Sequence, residues 1–200
     1  MDEVKRRYHQ TTRADQAAAT RRRIVEAAIA LHSTVGPAHT SLSDVAREAG
    51  VSRPTLYAHF PDVADLFQAC TMHWMSQDPP PDPAAWATLD DPRDRVRVAL
   101  TELYTHYARN EQLLENVLRD MYIVDSMREF NVPFVERSLV LMTEVLTSGF
   151  RDRPASARRR SALVALAVSF DTWQVLARDR VLTDDEAAEL MTTVVVTSVA

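Results

Sequence analysis

Glycine is nearly absent from this chain of 200 residues: there are three, Gly36, Gly50 and Gly149. Phosphate-cradling loops and dinucleotide fingerprints need several glycines close together, so neither fits here. Cysteine occurs once, at Cys70. No disulfide can form within the chain, and nothing calls for an oxidising compartment. Cys70 falls on the apolar face of a predicted helix and reads as inert core, with redox sensing the minor alternative. No apolar run reaches the ~18 residues of a membrane span, and the charged start is unlike a signal peptide. A soluble, cytoplasmic protein with no membrane partner is expected. Six histidines are scattered without metal-ligand spacing, and there is no G-x-S-x-G elbow. No metal, cofactor or catalytic residue is therefore expected, and the chain reads as not an enzyme. No long alternating β-branched run is present, which excludes most sheet architectures. Lysine occurs once against twenty-two arginines, an imbalance to which composition alone assigns no mechanism.

A hydrophobic fraction of 46% is enough for a real core. Apolar residues recur at helical spacing almost throughout, so the expected fold is all-α with about nine helices. The first helix starts near Gln16 or Arg21, carries Ile24, Ala27, Ala28 and Leu31, and ends at Gly36-Pro37. The fourth spans about 61–77 and is stopped by the prolines between Asp78 and Pro83. Further helices are expected over about 93–110, around Leu113–Met121, and around Val135–Leu146 with a break or kink at Pro133. The eighth runs from about Ser156 to Arg180. The ninth starts at the capping box Thr183–Glu186. The net charge of −5 is unevenly spread: residues 1–60 hold nine Lys and Arg against six Asp and Glu, and the rest hold fourteen against twenty-two. A basic head of +3 on an acidic body of −8 suits a protein that meets phosphate only with its N-terminal part.

The segment SLSDVAREAGVSRPTLYAHF, residues 41–60, reads as two short helices around a tight glycine turn. Ser41 can cap the first, with Asp44 at the N3 position of a capping box. Val45, Ala46 and Ala49 give it an apolar inner face. Gly50 sits where that helix must stop in a left-handed conformation. Ser52 can cap the second helix, and Pro54 fits its first turn. Leu56 and Phe60 then face inward, leaving Arg53, Thr55, Tyr57, Ala58 and His59 outside. That is the layout of a helix-turn-helix whose second helix enters a DNA major groove. Arg53 is the only strongly basic group on that helix and matches guanine O6 and N7, while Thr55 or Ala58 suits a thymine methyl. Tyr57 and His59 can donate to phosphate without reading sequence. Outside this pattern they would read as ordinary surface residues.

Thr40-Ser41, Val45-Ala46, Ala49-Gly50-Val51-Ser52, Thr55-Leu56-Tyr57 and His59-Phe60 together resemble the DNA-binding domain of TetR/AcrR-type transcriptional regulators, strongly over about residues 20–68. The resemblance implies an N-terminal three-helix DNA-binding domain and a larger C-terminal helical domain for ligand binding and dimerisation. The expected division is a basic flexible arm over 1–15, the DNA-binding domain over 16–61, and the second domain over 62–200, with the fourth helix as connector. It further implies a homodimer, formed through the eighth and ninth helices, on a pseudo-palindromic double-stranded DNA operator. Release by an unknown small-molecule effector is also implied. Carried over by position, Thr40, Ser41, Tyr57 and His59 meet phosphates, and Arg53, Pro54, Thr55 and Ala58 lie nearest the bases. Val63 departs from the family, which usually has a phosphate-binding lysine there. The arm or Arg21 to Arg23 are candidate replacements. The arm itself reads equally as a minor-groove reader or a solvated tail.

The aromatic C-terminal half supplies the effector-site candidates: Tyr104, Tyr107, Met121, Tyr122, Phe134, Phe170 and Trp173. Each reads alternatively as plain helical core. Val164, Val168 and Val175, with Met191, Val194 and Val195, are the expected dimer seam. Arg158, Arg159 and Arg160 read as a solvated face. The runner-up reading is a helical small-molecule-binding protein or enzyme with a weakened DNA-reading head, for which Val63 is the sole support.

Overall fold

The computed structural model describes residues 2–178 and 182–197, with side chains from Arg13 onward. Every regular element among them is helical. The chain forms two compact units, Met1–Asp78 with Glu115–Asn131, and Pro79–Leu114 with Val132–Ala200.

In the first unit, α1 (Asp2–Thr34) packs against α2 (Leu42–Glu48) and α4 (Val63–Gln77), and α2 packs against α3 (Arg53–His59). Ile24, Val25, Ala27 and Ala28 of α1 meet Val45, Ala46 and Ala49 of α2, Leu56, Phe60, and Leu66 and Cys70 of α4. Removing each large side chain of this set from water stabilises the unit by about 1.5–3 kcal/mol. Ala46 is buried where a larger side chain would hold α1 and α2 apart. Helix α1 is longer than its apolar periodicity, extending back to Asp2 through the segment expected as an arm. Helix α4 begins at Val63, not Pro61, because the Asp62 carboxylate accepts from the Ala64 N–H and caps it. Burial pushes the Cys70 thiol up to about 12, as suits an inert core residue.

The end of α7 (Glu111–Asp120) completes this unit, together with the one-turn α8 (Asp125–Arg128). Leu113, Leu114, Val117 and Leu118 are only half-buried, and the buried positions of α7 are the polar Asn116 and Asp120. Asn116 Nδ2 donates to the carbonyls of His32 and Ser33 at 3.1 and 3.0 Å. Asp120 Oδ2 accepts from the Ala38 N–H at 2.9 Å, and Arg119 bridges both residues. This polar clamp fixes the end of α1 and the 3-10 turn Pro37–His39 that leads to α2. Helix periodicity cannot see it, because the partners are backbone groups far away in sequence.

In the second unit, α5 (Pro83–Ala87) lies inside the proline-rich stretch expected to be a plain boundary. Asp82 caps it, and Trp86 is buried with its Nε1–H donating to Glu102 Oε2 at 2.7 Å. Helix α6 (Pro92–Arg109) packs on α12 (Asp184–Thr197), which also meets α10 (Pro154–Ala167). Helix α9 (Asn131–Thr147) runs through Pro133. The expected eighth helix is broken into α10, α11 (Phe170–Trp173) and a π turn, Gln174–Arg178. Ser169 restarts the chain as an N-cap, accepting from the Thr172 N–H. The carbonyls freed at the break are taken by tyrosines: Tyr104 donates to Ala167 O at 2.9 Å and Tyr107 to Val168 O at 2.7 Å. The capping box of α12 forms as expected between Thr183 and Glu186.

Candidate nucleic-acid interface

The reading head is built from two caps and one turn. Ser41 Oγ accepts from the Asp44 N–H, and the Asp44 carboxylate accepts from the Ser41 N–H, giving a complete capping box. Hydrogen bonds from the Ser41 hydroxyl and then from Arg47 hold the Asp44 carboxyl below the usual carboxylate range. At the other end of α2, Val51 N–H reaches Ala46 O at 2.9 Å and Gly50 N–H reaches Arg47 O at 3.1 Å. These are the two bonds of a Schellman motif, and Gly50 holds its left-handed position at φ +63°. Helix α3 then starts at Ser52, whose Oγ accepts from the Thr55 N–H.

Helix α3 is seven residues long, and Leu56 and the following Phe60 are its buried anchors. Arg53, Pro54, Tyr57 and Ala58 are exposed on it, and Thr55 and His59 are half-buried. Tyr57 is 41% exposed, and the Arg53 guanidinium carbon lies 6.0 Å from its ring centroid. The geometry thus brings six of the eight DNA-contact candidates together on one short helix. Thr40 and Ser41 stand apart at the start of α2, and their hydroxyl hydrogens are already engaged. Thr40 donates to Gly36 O at 2.8 Å and Ser41 to Asp44 Oδ2 at 2.5 Å. As they stand, both side chains shape the turn into α2; meeting phosphate as hydroxyl donors would require them to exchange partners.

Arg21, expected with Arg22 and Arg23 as a candidate replacement for the phosphate-binding lysine, is engaged within the fold. Its Nη1–H donates to His59 O at 2.8 Å, and its guanidinium carbon lies 4.0 Å above the Phe60 ring. The end of α3 is thereby tied to α1. No local signal announces this, since the partners are 38 residues apart. Val63, where the sequence departs from the pattern, is half-buried in the first turn of α4.

The effector-site candidates do not form one group. Tyr104, Tyr107, Phe170 and Trp173 cluster in the second unit, with Tyr107–Phe170 centroids 5.4 Å apart and edge-on, and Phe170–Trp173 centroids 5.3 Å apart. All four are buried, and the Trp173 Nε1–H donates to Asp184 Oδ1 at 2.8 Å. Burial pushes both tyrosine phenols up, so they remain neutral donors. Phe134 is half-buried on α9. Met121 is buried and Tyr122 exposed in the other unit. An open cleft of about 490 Å³ runs along α9, lined by Pro133, Glu136, Arg137, Val140, Leu141 and Glu144, none of them a candidate. Among the described residues no group of His, Cys, Asp and Glu has the makings of a metal site. No helix among them is long and apolar enough to cross a membrane.

The expected dimer seam is turned the wrong way. Val164, Val168, Met191 and Val195 are buried within the second unit, where α12 packs on α6 and α10, and Val194 is half-buried. Val175 alone is open, at 74%. The outward faces carry Ala162, Ala165 and Leu166 on α10 and Leu190 on α12, with Leu166 54% and Leu190 43% exposed. Exposed Arg158 and Arg159 lie on the same face of α10, whereas Arg160 is buried and paired with Asp152 at 2.6 Å. The order of apolar residues along a helix cannot say which of two apolar stripes meets the chain's own core.

Residues 24–70 match the model of the bacterial regulatory proteins, tetR family. A 52-residue stretch is 44% identical to the HTH-type transcriptional regulator AcrR of Shigella flexneri, covering 26% of this chain and 24% of that one. The chain thus matches about a quarter of the length of that curated relative. Solved structures resemble far more of it. NalD of Pseudomonas aeruginosa, the secondary repressor of the MexAB-OprM multidrug efflux pump, has a TM-score of 0.64 at 25% identity, over 90% of this chain and 95% of its own. The transcriptional regulator FadR of Bacillus subtilis, in complex with stearoyl-CoA, has a TM-score of 0.65 at 15% identity, over 89% and 98%. A TetR-like regulator from Rhodococcus sp. RHA1 has a TM-score of 0.63 at 21% identity, over 89% and 94%.

Proposed function

We propose that this chain, whose residues 24–70 match the tetR family of bacterial regulatory proteins, is a DNA-binding transcriptional regulator. The observation that carries the reading is α3. It is capped and anchored on its inner side, and it presents Arg53, Pro54, Thr55, Tyr57, Ala58 and His59 outward. Arg53 is assigned to a base edge, and Tyr57 and His59 to phosphate. Arg21 and the clamp of Asn116 and Asp120 hold the head in shape. The protein acts in the cytoplasm as a homodimer, placing two such helices on a pseudo-palindromic operator with half-sites about 34–36 Å, or a multiple, apart.

The dimer forms through the outward faces of α10 and α12, with Ala162, Ala165, Leu166 and Leu190 at its centre. Its net effect is repression, relieved by a small-molecule effector acting on the second unit. NalD's description as a repressor and FadR's bound stearoyl-CoA support such behaviour for this fold. An effector seated at the Tyr104–Tyr107–Phe170–Trp173 cluster would compete for the two tyrosine–carbonyl bonds that hold the α10 break. It would move the protein off DNA only by the difference in its affinity for the two states.

Selection from a random duplex pool at ~50 mM salt, where phosphate contacts are strongest, tests the reading. A two-fold site bound by a dimer is expected, and Arg53→Ala should relax its sequence preference. Failure to enrich any duplex would favour instead a helical binding protein with a weakened head, the reading that Val63 alone supports.

A further inference from the structure

We infer that Arg21 is the positioning residue of the recognition helix: it sets the angle at which α3 is presented, without itself gripping DNA. The inference rests on the reading of α3 as the DNA-reading element. The end of α3 leaves backbone carbonyls without helical partners. At the end of α2 a glycine closes the last turn. Helix α3 has no such device, since its C-cap is Phe60, at φ −137° and ψ 79°. Arg21 supplies what is missing. One Nη1–H takes His59 O at 2.8 Å, and the flat guanidinium covers the Phe60 ring 4.0 Å below. Two properties of one side chain are used together, a charged donor and a planar face, and only arginine offers both.

A seven-residue helix does not hold its own orientation, because helices this short are marginal without tertiary support. Leu56 and Phe60 anchor the inner side of α3. Arg21 adds a bond that reaches its final carbonyl from another helix. Arg53 and Ala58 project from the same short rod, so a small tilt at its end moves them relative to the base edges. Arg21 lies outside the matched stretch of residues 24–70, so the family pattern does not assign it this task.

The test compares Arg21→Ala, Arg21→Lys and, as control, Arg97→Ala at an exposed arginine of the second unit, on the full-length protein, with a selected operator and a scrambled duplex across a salt series. The expected result is that Arg21→Ala and Arg21→Lys both lose about tenfold or more in operator affinity. Scrambled-duplex affinity and the salt slope should stay near wild type, as they should throughout for Arg97→Ala. Amide exchange in the DNA-free protein should quicken over 56–60 in both Arg21 variants and stay unchanged in the buried part of α1. That last measurement does not depend on any operator being found, so it separates failure of this inference from failure of the DNA-binding reading. If lysine restores binding, or if alanine lowers the salt slope by about 0.9 per half-site, Arg21 is a phosphate contact and the inference is overturned. Unchanged amide exchange over 56–60 overturns it as well.

Discussion

Gly36 and Gly50 both have positive φ, yet replacing each with alanine should have very different consequences. Gly50 sits at φ +63°, and a Cβ there meets nothing within 4 Å. Gly50→Ala therefore incurs only the left-handed backbone penalty, about 1–2 kcal/mol. Gly36 sits at φ +89° and ψ 156°, a region open essentially to glycine alone, at a cost of order 1–3 kcal/mol for other residues. Its Cβ would also fall 2.7 Å from Asp120 Oδ2 and 2.5 Å from Arg119 Nη2. The guanidinium end can swing away. The carboxylate cannot do so without releasing the Ala38 N–H, a charge-assisted bond worth about 1.5–3 kcal/mol. Gly36→Ala should therefore cost about 2.5–6 kcal/mol in all. Urea denaturation of the two variants beside wild type measures the difference through the midpoint and slope. A Gly36→Ala variant no less stable than Gly50→Ala would refute the clamp as the support of this turn.

Three further outcomes follow from particular contacts. Burial lowers the His32 pKa to about 4, against the opposing pull of Asp120, so the native protein refuses a proton that the unfolded chain accepts near pH 6.5. Stability should therefore be full above pH 6.5 and fall as pH drops toward 4, by up to about 1.4 kcal/mol per unit, and His32→Gln should flatten that part of the urea-midpoint curve. Burial raises the Asp120 carboxyl, but the bonds from Arg119 and the Ala38 N–H outweigh this and leave it lowered, so its own contribution is lost only at still lower pH. Tyr107→Phe strips the donor from buried Val168 O and should cost about 1–2 kcal/mol, read as a Tm lower by a few degrees; an unchanged Tm would mean the bond does not hold the α10 break. Leu166→Glu should give a folded monomer by sedimentation, whereas Val164→Glu, at a buried position, should fail to fold; a Leu166→Glu dimer would remove that face from the interface.

The reading head was legible because its determinants are local. A cap, its N3 partner, a glycine and two inward apolar residues lie within twenty consecutive positions, and each forms the bond its spacing predicts. What escaped was set by partners distant in sequence. The α10 break is stabilised by tyrosines about sixty positions earlier, and to the sequence the same stretch is a continuous apolar helix. Asn116 and Asp120 look like the polar side of α7 until the carbonyls of α1 arrive beside them. Four of the residues expected at a dimer seam on α10 and α12 are core for a related reason. Both faces of α10 carry apolar residues, and only the packing of α12 decides which stripe is used up inside the chain.

The scarcity of glycine and the excess of arginine are physically connected. A helix that ends in a left-handed glycine satisfies its last carbonyls locally. With three glycines in 200 residues, most helices here cannot end that way. At the ends of α3, α9 and α12, arginines from other elements reach the carbonyls. Arg21 reaches the end of α3. Arg95 reaches Val145 O in the last turn of α9 and Ser148 O just beyond it, next to the left-handed Gly149, as well as Leu89 O. Arg160 reaches Val195 O and Val196 O of α12 while pairing with Asp152 and lying over Phe150, 3.9 Å from its centroid. An ammonium could not replace these forks. It is a compact, strongly hydrated charge with no planar face to lay on an aromatic ring, and burying it would cost more of its hydration. Each such arginine also joins two separate segments of the chain. These three helix ends are therefore tertiary contacts, and the end of the recognition helix is one of them.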